Sequence, residues 1–236
     1  MSRLLGILGG AFNPPHHGHL RAALEAREAL GLEKVLLVPS GHHPFKGNDL
    51  LADSGHRLAM TALACRDVPE LEACDIEVVR PTTAYTIDTL RDLSTRHPDH
   101  EPVFLMGSDL VEELHLWKSW RRLLEVAHLC LMSRPGTTAD IDDGSPTWEW
   151  LHRHERTGVN TLSRDSQGHF GYLPLPITRL AISSSDIRNR VRLGKSIRFL
   201  TSERVIDYID QHGLYRGHLE HQDQPEGSPS GSEHGQ

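Results

Sequence analysis

Short apolar runs and longer amphipathic stretches alternate along most of this chain. Residues 4–8 are apolar at nearly every position and are closed by Gly9 and Gly10. So short a continuous run predicts a strand covered on both faces. The same reading applies to 34–38, 76–79, 103–106, 129–132 and 171–175. Between the first two runs, Leu20, Ala23 and Leu24 share one stripe at helical spacing, although Arg27 interrupts it. Ala22, Ala26 and Ala29 favour a helix there and Gly31 stops it, so a helix is predicted from near Gly18 to Leu30.

Further helices are predicted over 57–65, with Asp53 or Ser54 as cap, and over 86–95, with Ile87, Leu90 and Leu93 inward. Residues 110–125 read as largely helical. The stretch 137–170, rich in Asp, Gly, Ser, Thr and His, reads as an insertion holding one helix over 148–156. Helices over 185–193 and 203–211 follow the last strand. Ser183-Ser184-Ser185-Asp186 marks the start of the first, hydroxyls before an acidic first turn, and Gly213 ends the second. From Gly217 onward Leu219 is the only large apolar residue, so 217–236 is expected to be a disordered tail. The alternation implies an α/β fold: a doubly wound, Rossmann-like parallel sheet with helices on both faces and a small C-terminal helical segment, in one domain over 1–216. Right-handed crossovers then gather the C-terminal ends of the strands on one edge.

Composition narrows the classes. With 236 residues, 37% of them hydrophobic, the chain can bury a sizeable core. Lys+Arg 25 against Asp+Glu 32 gives −7, which argues against a nucleic-acid partner. No run approaches the roughly 18 apolar residues of a membrane helix, and the apolar start is too short for a secretory signal. Cys65, Cys74 and Cys130 are odd in number and lack CxxC spacing, so a disulfide framework and a thiolate zinc site are not expected. A reducing, cytoplasmic setting is. Whether the chain forms a homo-oligomer is not legible.

The chemistry concentrates between the first strand and the first helix, in Gly9-Gly10-Ala11-Phe12-Asn13-Pro14-Pro15-His16-His17-Gly18-His19-Leu20. Gly9 and Gly10 let a phosphate approach the backbone, and the helix start offers N–H groups and partial positive charge. His16 and His19 straddle Gly18 and can face the same cleft. Neither a dinucleotide fingerprint nor a Walker sequence is present. The competing readings are a purely structural helix entry and a zinc site drawn from His16, His17, His19, His42 and His43. Zinc is disfavoured because the nearest approach to a carboxylate in the loop is the amide of Asn13. A second helix start, Ile182 to Arg188, carries hydroxyls and a guanidinium that can bind phosphate; by itself it reads better as an ordinary cap with a surface arginine, since capped helices are common and triphosphate sites are not.

Taken together, His16-His17-Gly18-His19 and Ile182-Ser183-Ser184-Ser185-Asp186-Ile187-Arg188 resemble the paired motifs of the HxGH nucleotidyltransferase superfamily. Further landmarks resemble its bacterial nicotinate mononucleotide adenylyltransferase branch: Ala84-Tyr85-Thr86-Ile87-Asp88-Thr89-Leu90, Gly107-Ser108-Asp109 with Trp117, Ser133-Arg134-Pro135-Gly136, and Gly213-Leu214-Tyr215-Arg216. The resemblance spans 3–216. It implies transfer of the adenylyl group of ATP to nicotinate mononucleotide, with Mg²⁺ carried by the ATP and no protein-held metal. It also implies roles for residues. His16, His19 and Arg188 would act on the reacting phosphates. Gly9, Gly10, Ala11, Phe12, Lys46, Gly107, Asp109, Ile182, Ser183, Ser184 and Ser185 would complete the ATP site. Thr86, Trp117 and Arg134 would hold the mononucleotide, with the Trp117 ring as stacking face and the backbone at Thr86 as donor to the carboxylate. Ala11, Asn13 and Phe45 depart from the residues usual at their positions. The alternatives are another phosphate acceptor, nicotinamide mononucleotide or pantetheine phosphate, and a non-catalytic nucleotide-binding module.

Overall fold

The computed structural model describes residues 3–41, 51–133, 146–155, 162, 164–178 and 180–216. Its strands are β1 (Arg3–Gly10), β2 (Lys34–Pro39), β3 (Leu71–Ala73), β4 (His100–Gly107), β5 (His128–Ser133) and β6 (Tyr172–Pro176). They form one sheet in the order β3-β2-β1-β4-β5-β6, and every pairing is parallel. The helices are α1 (His17–Leu30), α2 (Ser54–Cys65), α3 (Thr86–Arg96), α4 (Pro146–Arg153), α5 (Ser184–Arg192) and α6 (Glu203–Gln211).

The continuous apolar runs divide by parity between two cores. Val35 and Leu37, Val103 and Leu105, and Cys130 and Met132 pack beneath α1, α2, α5 and α6. Leu36 and Val38, Phe104 and Met106, and Leu129 and Leu131 pack on the other face, against Ile87, Leu90 and Leu93 of α3 and against Trp148 and Leu151 of α4. Burial on both faces is why these strands read as solid apolar blocks. The chain moves from one face to the other between β3 and β4, so β1 and β4 are neighbours across a topological switch point. Their C-terminal ends diverge there and open a crevice.

Three expectations need correction or refinement. Residues 76–79 are not a strand: the place beside β2 is taken by β3, earlier in the chain. Ile76 is instead buried in the core on the α3 face and Val79 is exposed, in a turn closed by Val79 N donating to Asp75 O at 3.0 Å. Residues 110–125 are not one helix but separate 3₁₀ turns at Ser108–Leu110, Leu114–Leu116 and Trp120–Glu125, broken by Ser119 at φ 52°. The reason is visible in the spacing: Val111, Leu114, Trp117, Trp120 and Leu123 recur every third residue, the period of a 3₁₀ helix rather than of an α-helix. The helix in the insertion is α4, placed slightly earlier than expected, and Arg156 lies outside the described residues. So do Lys46, Phe45, His42, His43, Arg134 and the expected tail.

Candidate active site

At the end of β1, Gly9 is exposed, and a Cβ there would meet only the Phe104 ring, at 3.7 Å. The protein's own packing does not require the glycine, and Gly9 is not among the residues that line the cleft beside His16 and His19. The chain then passes Phe12, a bulky residue at φ 46° whose ring is 2% exposed. Such a conformation costs about 1–3 kcal/mol and persists only where the surroundings impose it. They do: the ring meets His19 edge-on at 5.1 Å, and the carbonyl of Ala11 before it accepts from Arg57 Nη1 at 2.9 Å.

Arg57 was not singled out by sequence reasoning, and it organises this corner. It is 2% exposed and donates from Nε to Ala52 O (3.0 Å) and from Nη2 to Ser40 O (2.6 Å). Nη1 also reaches Ser40 Oγ at 3.2 Å. Burial lowers its pKa, with Tyr215, Asp53 and Glu77 opposing. The guanidinium ties the end of β2 to the loop after β1. A signal existed, because Arg57 shares the buried face of α2 with Met60, Thr61 and Ala64. A cation on such a stripe is either misplaced or committed to specific acceptors.

His16 is the extended N-cap of α1 and His19 sits one turn inside. Their rings stack at 3.6 Å, tilted by 24°. His16 N donates to His19 Nδ1 at 3.2 Å. That bond identifies the tautomer: Nδ1 accepts, so the neutral ring carries its proton on Nε2. Burial, with His17 adding, brings His16 down from 6.5 to about 4. Burial, with His16 adding, brings His19 down to about 3. Near neutral pH the pair therefore consists of uncharged donors rather than two crowded cations.

Both imidazoles line an open cleft of about 410 Å³ with Gly18, Leu8, Ser108, Asp109, Ser133 and Ile182. The cleft lies at the switch point, with Ser108 and Asp109 immediately after β4 and Ser133 at the end of β5. A Cβ on Gly107 would stand 2.3 Å from Asp109 Oδ1, so the glycine admits the carboxylate's return over the strand end. Ser133 and Thr178 also line the cleft, although they were not among the expected site residues.

The second motif meets the first. Arg188 Nη1 donates to Asn13 O at 2.8 Å, and Ser184 Oγ donates to Pro14 O at 2.8 Å. Ser183 caps α5, its hydroxyl accepting from Asp186 N at 3.2 Å, and lies 3.2 Å from the Ser185 hydroxyl. Two segments more than 160 residues apart thus share one corner of the sheet edge. Thr86 and Trp117 occupy a neighbouring region. Thr86 is the first residue of α3, where backbone N–H groups have no intrahelical acceptor. Trp117 is half-buried, edge-on to Phe104 at 6.2 Å. Lys118 bridges the two segments, 4.4 Å above the Tyr85 ring and 2.8 Å from Asp88.

Known proteins match this chain across most of its length. The cytidylyltransferase-like family matches residues 7–190. A probable nicotinate-nucleotide adenylyltransferase of Shewanella baltica (strain OS185) is 37% identical over 215 residues, covering 89% of this chain and 98% of the relative. Its counterpart in Aeromonas salmonicida (strain A449) is 40% identical over 213 residues, covering 90% and 97%. Among solved structures, Plasmodium falciparum nicotinic acid mononucleotide adenylyltransferase complexed with NaAD superposes with a TM-score of 0.67 at 20% identity, covering 90% and 97%; this shows the common fold. The chain belongs to the cytidylyltransferase-like family and, within it, to the nicotinate-nucleotide adenylyltransferases.

Proposed function

We propose that the protein transfers the adenylyl group of ATP to nicotinate mononucleotide, giving deamido-NAD and pyrophosphate, a step of NAD biosynthesis. The observation that carries this reading is one cleft at the switch point lined by His16, His19 and Ile182, with the start of α5 bonded to the loop that leads into α1. Two helix N-termini and two neutral imidazole donors suit a polyphosphate.

A phosphate oxygen of the mononucleotide attacks the α-phosphorus of ATP in line. One P–O bond forms as the bond to the β-phosphate breaks. The nucleophile is already ionised near neutral pH, so no general base is needed, and catalysis rests on alignment and charge stabilisation. His19 donates from Nε2 to an α-phosphate oxygen as charge builds there, and His16 holds its neighbour. Arg188 faces the departing pyrophosphate, aided by the backbone and hydroxyls of Ser183–Ser185. Gly9, Gly10, Ala11 and Phe12 form the floor, and Gly107 and Asp109 take the adenosine end. Lys46 and Arg134 belong to the same proposal as further phosphate ligands. Mg²⁺ enters with the triphosphate, held by phosphate and water. The nicotinate ring stacks on Trp117 and its carboxylate takes the free N–H groups at Thr86, where a helix N-terminus favours an anion.

A reducing cytoplasm suits the cysteines: Cys65 and Cys130 are buried, and burial pushes both thiols up to about 12. No helix among the described residues is long and apolar enough to cross a membrane.

Initial rates of pyrophosphate release from MgATP with the acid or the amide mononucleotide test the reading. The acid is expected to react faster by about tenfold or more, because an amide forfeits the charge-assisted contact at Thr86. Release with neither substrate overturns the assignment, and equal rates overturn the role given to Thr86.

A further inference from the structure

The loop Asn13-Pro14-Pro15 cannot satisfy its own backbone. Two of its three residues lack an N–H, and its carbonyls are turned away from the sheet ladder. Each of those carbonyls is taken by a side chain from the C-terminal part of the chain: Asn13 O by Arg188, Pro14 O by Ser184, and Pro15 O by Thr201 Oγ1 at 2.8 Å. His17 N donates to Leu200 O at 3.0 Å. The Asn13 side chain completes the set, its Oδ1 accepting from Tyr215 OH at 2.7 Å and from Ala52 N at 3.1 Å. His16 follows this loop directly, and His19 comes three residues later.

Arg188 and Ser184 belong to the phosphate-facing motif. Thr201 and Tyr215 do not: they are 2% and 8% exposed and neither lines the cleft. Tyr215 lies 202 residues from its partner and is held at φ 63°, a conformation unfavourable for a non-glycine residue. Gly213, at φ 59°, ends α6 and starts the turn that sends the Tyr215 ring back into the core. The unfavourable backbone conformation is held in place by a ring buried in the core and a hydroxyl bonded to Asn13 Oδ1, so the surroundings impose this placement of Tyr215.

Resting on the adenylyl-transfer reading, we propose that Tyr215 and Thr201 are positioning residues: they clasp the loop between β1 and α1 and thereby set where the imidazoles of His16 and His19 meet the α-phosphate. They touch no substrate. Asn13 takes part through its amide oxygen, which accepts both donors without placing a second anion in the corner. The mononucleotide site at Thr86 and Trp117 is held by α3 and the 3₁₀ segment on the opposite face of the sheet, so the clasp acts on turnover rather than on mononucleotide binding.

The test uses Tyr215→Phe and Thr201→Val, each removing one hydroxyl at nearly constant shape. Thr201→Ser restores the donor. Tyr208→Phe, which loses an α6 hydroxyl 3.0 Å from His56 Nδ1 of α2, controls for lost stability. Tyr215→Phe and Thr201→Val are expected to lower kcat about tenfold, since ångström-scale misplacement costs that much or more. KM for the mononucleotide should stay within about twofold, as expected when only a transition-state contact is weakened. Thr201→Ser and Tyr208→Phe should keep parental kcat. The proposal fails if Tyr215→Phe and Thr201→Val keep parental kcat, or if Tyr208→Phe loses as much. If the parent itself releases no pyrophosphate, the functional reading fails instead. The clasp is then read from amide hydrogen exchange at His17, which both variants accelerate by about tenfold if the clasp holds the loop and leave unchanged if it does not.

Discussion

Gly18 separates the two imidazoles of the first motif, and a Cβ there would lie 3.0 Å from both Cε1 and Nδ1 of His16. Gly18→Ala should therefore leave the fold intact, and even favour α1 by up to about 1 kcal/mol. Its turnover should nonetheless fall by roughly tenfold, because the His16 ring must move off its stack with His19. Urea unfolding alongside initial rates checks both halves, and parental turnover would show that the ring's place is unimportant. His19→Ala should cost at least about tenfold in kcat at saturating substrates, the loss of one transition-state donor. The histidine pair was legible in the sequence because two rings three residues apart at a helix entry must share a side. Arg57 was half-legible, as a cation on an apolar stripe. Tyr215 was visible only as part of the landmark Gly213-Leu214-Tyr215-Arg216 and Thr201 not at all, since the acceptors that give them meaning lie near residue 14.

Elements show where periodicity decides and where it does not. The third-residue spacing from Val111 to Leu123 specifies a 3₁₀ path, which a search for α-helical spacing misses. The misassigned strand at 76–79 shows the opposite limit: Ile76 and Val79 have strand-like side chains, but a strand needs a neighbour, and β3 already lies beside β2. Trp117 is the extended residue that ends the Leu114–Leu116 turn, and as the proposed stacking face its change Trp117→Ala should raise the dissociation constant of the mononucleotide about tenfold while ATP binding is kept. Calorimetric titration with each ligand separates the two, and a loss confined to ATP would remove Trp117 from the proposed ring site. Arg57 joins α2 to the ends of β1 and β2. Arg57→Met should destabilise the protein by at least about 3 kcal/mol in urea, because Ala11 O, Ser40 O and Ala52 O would lose buried donors. A change below about 1 kcal/mol would show that water replaces those bonds.

At the scale of the whole molecule, burial of imidazoles makes stability depend on pH. His16 and His128 are held near about 4 and His19 near about 3, against 6.5 in an unfolded chain, burial being the first cause in each case. Between those values the unfolded state binds more protons, so stability is complete above about 6.5 and is lost as the pH falls toward about 4. The urea midpoint should drop from pH 7.5 to pH 5, and drop less in His19→Ala, where one titrating ring is gone; a flat midpoint would show that these rings titrate normally. The sequence alone determined the alternation of strand and helix, the burial of the sheet on both faces, and the two motifs. These follow from local spacing and from hydrophobic runs that cannot be left in water. Tertiary packing was needed to settle which run stands beside β2, that Arg57 locks two strand ends together, and that the turn after α6 grips the loop between β1 and α1. Such contacts join residues separated by up to 202 positions, and a pairing of that length is selected by the geometry of the assembled sheet edge, which no local pattern encodes.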